Sequence, residues 1–277
     1  MQDSGEVLES LRAEIDRIDD AMLDGLLRRV EVVERIKAAK ASAGGAPFRP
    51  GREALIMRRL VAKAGGAFPA PALVRLWREI IAAFTWRQCP FRVAVAGGED
   101  LRTVARDHFG SLVPLMPVDS AVQAMRAFTD DQAQLAVLPL PAEGEAWWRW
   151  LMGPMLDERV QVIGRLPFAP RPGQPSALLL GRAAHERTGD DLALMAIETL
   201  PELSRARLRH LFEAAEMAPV WLAVLEANGE PPMHLIELKG FVEDCLAVVP
   251  SVLAPARGQV LRAQPVGGYA RPLDPAA

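Results

Sequence analysis

Residues 6–42 read EVLESLRAEIDRIDDAMLDGLLRRVEVVERIKAAKAS. Leu8, Leu11, Ile15, Ile18, Met22, Leu26, Val30 and Val33 recur at spacings of three and four, which predicts one long amphipathic helix. Gly25 interrupts it, at a cost of about 1 kcal/mol. Such a helix spans roughly 55 Å at 1.5 Å per residue. An apolar stripe of that length has to be buried, and residues 43–90 are too few to cover it. An intertwined dimer is the predicted solution.

Outward from this helix, Ala43, Gly44, Gly45, Ala46 and Pro47 form a break. A second helix runs from Pro50 to about Lys63, and a third from Pro71 to Gln88, where Pro90 closes it. At Phe91 the pattern changes. Short apolar runs near 91–96, 112–118, 135–140, 160–166 and 177–181 alternate with helical periods at 101–109 and 121–128, which predicts an α/β lobe with a small parallel sheet. Residues 190–270 read as strand, helix, strand, strand and helix, like a ferredoxin-like domain. The Pro/Gly-rich stretches 167–175 and 263–277 read as linker and tail. The predicted domains are 1–90, 91–187 and 188–270, with a tail at 271–277.

The net charge of −3 and pI near 5.9 exclude the basic footprint of a nucleic-acid binder. Residues 1–90 hold 15 Lys/Arg against 12 Asp/Glu, and the remainder 17 against 23. A basic N-terminal part in an acidic chain suits a small anionic ligand, and random scatter suits it equally. Cys89 and Cys245 lie far apart with no CxxC or Cys/His cluster, so neither zinc nor a disulfide is expected. The polar, acidic first residues lack a signal-peptide h-region, and no run approaches a membrane span, so a cytoplasmic protein is expected. Gly97-Gly98 lacks the rest of a dinucleotide fingerprint, so no cofactor is expected. His108, His185, His210 and His234 read as surface or capping groups. Trp147, Trp148 and Trp150 read as core packing on a short helix.

Arg12, Arg29 and Lys40 lie on the first helix, Arg52 and Glu53 at the start of the second, and Gln88 at the end of the third. Taken singly, each cation reads as a solvated surface charge with a helical partner, such as Arg12 with Asp16. Taken in order, they resemble the all-helical class of chorismate mutase. The resemblance rests on Leu11-Arg12, Leu27-Arg28-Arg29, Lys37 to Lys40, Arg49-Pro50-Gly51-Arg52-Glu53 and Leu76-Trp77-Arg78-Glu79, and it covers residues 6–90. It implies a homodimer whose sites are built from both chains and whose substrate is chorismate. Arg12 of one subunit and Arg29 would clamp the carboxylates, Lys40 and Gln88 would donate to the ether oxygen, Glu53 would accept from the ring hydroxyl, and Arg52 would lie beside the site. Two departures stand out: Arg49 where many members carry Asp, and Phe84 where a small residue lines the pocket, unless the ring turns into the bundle core.

Arg92 to Glu99, Leu135 to Pro139 and Ala142-Glu143-Gly144 resemble prephenate dehydratase, and residues 190–270 an attached ACT domain. The family's Thr-Arg-Phe motif is replaced by Ser176-Ala177-Leu178, and the segment 91–185 is about half the family's length. The resemblance therefore implies a multi-domain chain: an all-α mutase bundle, a shortened α/β lobe with dehydratase activity lost, and a ferredoxin-like α+β ACT-like domain. Two alternatives stay open, a non-catalytic regulatory bundle that binds aromatic metabolites and a bifunctional mutase–dehydratase.

Overall fold

The computed structural model describes residues 4–43, 48–142, 146–153, 160–226 and 229–274, with the side chains of 40–43 excepted. The Lys40 side chain, the Gly44–Pro47 break and the Glu143-Gly144 turn lie outside the described residues. The chain divides into two units, the first ending at Pro47 and the second starting at Phe48.

The first unit is one helix, α1 (Ser4–Ala43), forty residues long. Most of its apolar stripe is uncovered in the single chain: Leu8, Leu11, Ile18 and Met22 are exposed and Ile15 is 57% exposed, whereas Val30 is half-buried and Val33 buried.

The second unit opens with α2 (Pro50–Ala64) and α3 (Ala70–Gln88). Proline at the first position starts α2, and Gly65 in the left-handed conformation (φ 55°) ends it. The α/β part follows as β1 (Val93–Ala96), α4 (Glu99–Phe109), β2 (Leu115–Val118), α5 (Ala121–Thr129), β3 (Leu135–Pro139), a 3₁₀ turn (Trp147–Met152), β4 (Gln161–Leu166) and β5 (Ala177–Gly181). Acidic Glu99 and Asp100 begin α4, Arg106 and His108 end it, and Ser120 caps α5 by accepting from the Gln123 N–H at 3.2 Å. The last elements are β6 (Asp191–Thr199), α6 (Arg205–Ala214), β7 (Val220–Leu225), β8 (Met233–Lys239), α7 (Val242–Leu253) and β9 (Val260–Ala270).

All nine strands join one sheet in the order β2-β1-β3-β5-β4-β9-β6-β8-β7. β2, β1 and β3 are parallel, as their helical crossovers demand. β5 and β4 then continue antiparallel, so the expectation of a purely parallel lobe holds only for its first three strands. In the order β9-β6-β8-β7 the final βαββαβ unit is antiparallel throughout.

Residues 263–270 are not a tail, as their composition suggested. They belong to β9, which pairs along the whole of β6 and meets β4 at Val162–Gly267. Gly267 permits that meeting: its φ is 143°, and a Cβ there would fall 2.1 Å from the Val162 carbonyl oxygen. Residues that read as breakers are what the crossing of two strands requires.

The α2–α3 hairpin is fastened to the sheet. Gly51, Ala54 and Met57 bury one face of α2, and Arg58 donates to Thr188 Oγ1 (2.9 Å) and to the carbonyls of Asp190 (2.7 Å) and Arg271 (2.9 Å). On α3, Glu79 accepts from the Ser111 N–H (2.9 Å) and hydroxyl (2.5 Å) just beyond α4. Trp147 and Trp148 are buried as expected, whereas Trp150 is exposed. The histidines are a correction. Only His210 is exposed; His234 is buried, and His108 and His185 are tucked against Phe109 and Phe241, ring centroids 4.7 Å apart in each case. A neutral imidazole packs as a small aromatic ring. Among the described residues no helix is long and apolar enough to cross a membrane.

Candidate active site

The residues singled out by sequence fall in both units. In the first, Arg12 is exposed and pairs with Glu9 one turn back (3.2 Å) rather than with Asp16. Arg29, half-buried, lies seventeen residues further along the unbroken α1. That is about 25 Å along the axis and about 100° around it, so one small ligand cannot touch both groups on the same helix. Arg29 and Lys40 are eleven residues apart, three turns, and share a face.

In the second unit, the first turn of α2 is held by a residue that the sequence did not flag. Glu186 accepts from Arg49 Nε (2.8 Å) and Nη2 (2.5 Å) through one oxygen, and from the Arg52 backbone N–H (3.1 Å) through the other. It supplies a helix-capping acceptor that Arg49 cannot. Gly51 leaves room for it, since a Cβ there would lie 2.7 Å from the Glu186 Cβ. The Arg at position 49 thus has a local electrostatic partner. The Arg52 side chain is exposed, Gln88 is half-buried in the last turn of α3, and Phe84 is half-buried on the same helix.

Glu53 is tied to Arg78, whose Nη1 donates to its carboxylate. The Arg78 side chain is only 6% exposed, and that of Glu53 19%. Burial pushes the Glu53 carboxyl up, against the opposing pull of Arg78, and burial likewise pulls the Arg78 guanidinium down. Arg78 was not among the sequence candidates, although a charge in line with Val74, Ile81 and Ala82, which bury the same face of α3, was a signal that could have found it.

This ion pair edges a cavity of about 50 Å³ between the α2–α3 hairpin and the sheet, room for a few waters. His108, Arg165 and Tyr269 also line it. Tyr269 donates to Glu237 Oε2 at 2.5 Å, and Arg165 Nη1 lies 3.4 Å from the same oxygen. Burial, then the Glu237 charge, drives the Tyr269 phenol well above its ordinary range, so it remains a donor. Sequence reasoning missed Arg165, Glu237 and Tyr269, which sit on three different strands and carry no local motif. Of the three residues in the place of the Thr-Arg-Phe motif, Ser176 keeps a hydroxyl, whereas Ala177 and Leu178 are buried in β5 between β3 and β4 and supply no charged or proton-transferring group. Among the described residues no cluster of three or more His, Cys, Asp or Glu is arranged to hold a metal ion.

Residues 11–88 match the family model "Chorismate mutase type II". That span contains α1 from its third turn, all of α2 and all of α3. Two curated relatives are bifunctional chorismate mutase/prephenate dehydratases. The Aquifex aeolicus protein is 29% identical over 167 residues, and the Pseudomonas aeruginosa protein 26% over 166 residues. These alignments cover 58% and 57% of this chain, more than the mutase span alone can hold, and 46% of either relative. The chain therefore spans about half the length of the curated relatives it matches. The solved quorum quenching acylase GqqA shares the fold, with a TM-score of 0.50 at 12% identity, over 67% of this chain and 96% of its own. Residues 11–88 thus carry the match to chorismate mutase type II, and the similarity to bifunctional chorismate mutase/prephenate dehydratases runs on beyond them.

Proposed function

We propose that the protein is a chorismate mutase that converts chorismate to prephenate. The observation that carries this reading is the match of residues 11–88, which takes in all three helices and every candidate residue: Arg12, Arg29, Lys40, Arg52, Glu53 and Gln88. The rearrangement is intramolecular and needs no nucleophile, proton transfer or metal. It needs a dicarboxylate held in a compact conformer and donors at the ether oxygen, where charge builds. Guanidinium forks bind carboxylates in two-point fashion, which suits Arg12 and Arg29, and Lys40 and Gln88 supply the donors.

The protein acts as a homodimer in this reading. Arg12 and Arg29 of one helix cannot reach the same ligand, so Arg12 serves the partner's site. The uncovered stripe of α1 is the surface that the partner would bury. Dehydratase activity is absent in this reading, because Ala177 stands where the motif's arginine would hold a leaving hydroxyl and Ser176 alone does not replace the Thr-Arg pair. The βαββαβ unit of residues 191–270 is an ACT-like module.

One observation favours a second reading. Arg78 already occupies the Glu53 carboxylate, as a non-catalytic regulatory bundle would allow. Loss of chorismate absorbance at neutral pH, with a parallel assay for phenylpyruvate, separates the readings. Turnover that falls on the order of 10²-fold in Lys40→Ala supports the mutase. A parent without turnover leaves the regulatory bundle, and phenylpyruvate formed at neutral pH would restore the bifunctional reading.

A further inference from the structure

A second cleft, of about 370 Å³, opens where the start of α3, the last turn of α4 and the β4–β5 loop meet. Arg52, Glu53 and Gln88 do not line it. Its walls are apolar: Pro69, Pro71 and Val74 on one side, Pro167, Phe168 and Ala169 on the other. Its polar groups are cationic on balance, with Arg75, Arg78 and Arg171 against Asp107.

Their geometry is fixed in advance. Asp107 Oδ1 lies 3.1 Å from Arg75 Nε in an ion pair, and Oδ2 accepts from Arg171 Nη2 at 3.3 Å. The carboxylate is the buried member, 12% exposed, while the two guanidinium side chains are 64% and 56% exposed. One aspartate thus sets two forks from different elements side by side at the mouth, each with N–H groups to spare. Deeper in, the Arg78 guanidinium lies 5.7 Å from the centroid of Phe168, and its buried Nε has no hydrogen-bond partner. Glu53 answers the charge of Arg78 from outside the cleft, so one positive charge is left over. His108, also in the lining, adds none at neutral pH: burial, then Arg78, holds its imidazole well below 6.5.

We propose that this cleft binds a small organic anion, a carboxylate carried on an apolar body, and that occupancy is felt at Glu53 through Arg78. The body packs on the prolines and Phe168, and the carboxylate spans Arg75 and Arg171. The bound carboxylate also draws on the positive charge of Arg78 in the same lining, in competition with Glu53. If Glu53 holds substrate, as the mutase reading has it, the cleft is an effector site.

Calorimetry on the full chain tests the binding with benzoate, with benzamide as the neutral isostere and sulfate as the bare anion. Benzoate should bind saturably at one site. Benzamide, sulfate and the exposed-site double variant Arg75→Gln/Arg171→Gln should each weaken binding by about tenfold or more. No saturable benzoate binding at millimolar concentration overturns the proposal, as does equal binding of benzamide or sulfate, or an unaffected double variant. The coupling is read without any turnover assay. Glu53→Gln frees Arg78 and should tighten benzoate several-fold, by the reciprocity of linked equilibria. If that variant does not fold, the Glu53 carboxyl of the parent should titrate at a higher pH with benzoate bound. Unchanged benzoate affinity, or an unchanged Glu53 titration, overturns the coupling.

Discussion

Replacing Arg78 by Met removes one partner of the buried pair and leaves the Glu53 carboxylate facing an apolar wall. Breaking a buried pair on one side costs about 3–5 kcal/mol. The Glu53 side chain retains 19% exposure, so some water still reaches it and the low end of that range applies. For a unit of this size, 3 kcal/mol lowers the melting temperature by about 6–12 °C. The cost also depends on pH. Arg78 is what holds the Glu53 carboxyl down against burial, so in the variant its pKa climbs further. The folded state then takes up a proton at a higher pH than the unfolded chain does. The penalty is therefore full above that folded pKa and fades as pH falls through it. Thermal melts at pH 7.5 and 5.5 measure both effects. The double variant Arg78→Met/Glu53→Leu, which removes both charges, should return to within about 1.5 kcal/mol of the parent. A single-variant cost below 1 kcal/mol at pH 7.5, or a cost that does not shrink at pH 5.5, refutes the assignment of a buried pair.

Three further outcomes are expected. Gly267→Ala drives a Cβ into the Val162 backbone at a φ that side chains avoid, so urea denaturation should register a loss of about 3 kcal/mol or more, and a loss under 1 kcal/mol would show that the β4–β9 crossing relaxes freely. His108 is neutral in the fold while the unfolded chain titrates near 6.5; the unfolded state therefore binds more protons below that pH, and stability falls from pH 7 towards 5. His108→Gln should flatten that slope even though Glu53 opposes it, and an identical slope would assign the loss to other groups. A chain starting at residue 48 should keep its near-ultraviolet dichroism, whereas one starting at residue 91 should lose it, because Phe48, Ala82 and Trp86 complete the core around β1 and α4; retention in the shorter chain would make the hairpin dispensable.

Most elements were legible because periodicity is a local signal: α1, α2 and α3 begin and end within two residues of the glycines and prolines that bracket them. β9 was not, because Pro265, Gly267 and Gly268 weaken any strand pattern, and the two glycines are explained only by the close approach of Val162, Val242 and His185. The docking of α2 on the sheet was hidden for a related reason. Its inward face is made of Gly51, Ala54 and Met57 with Arg58 reaching over the rim, too small and polar a stripe to announce a buried surface. Arg12, Arg29, Arg52, Glu53 and Gln88 could be named in order along the sequence, yet the engagement of Glu53 by Arg78 and of Arg49 by Glu186 depends on contacts between residues 25 and 137 positions apart. The Arg75–Asp107–Arg171 mouth joins three elements, and no spacing rule connects them.

The proposed mutase site is shared between two chains, with Arg12 from one and Arg29 from the other. Arg12→Ala and Arg29→Ala should each be nearly inactive alone when chorismate loss is followed. Co-expressed, they form mixed dimers in which one site lacks both arginines and the other lacks neither, so activity should return to about a quarter of the parent's in a random mixture. No recovery on co-expression, with an active parent, would contradict the shared site, and a parent that leaves chorismate untouched would contradict the mutase itself.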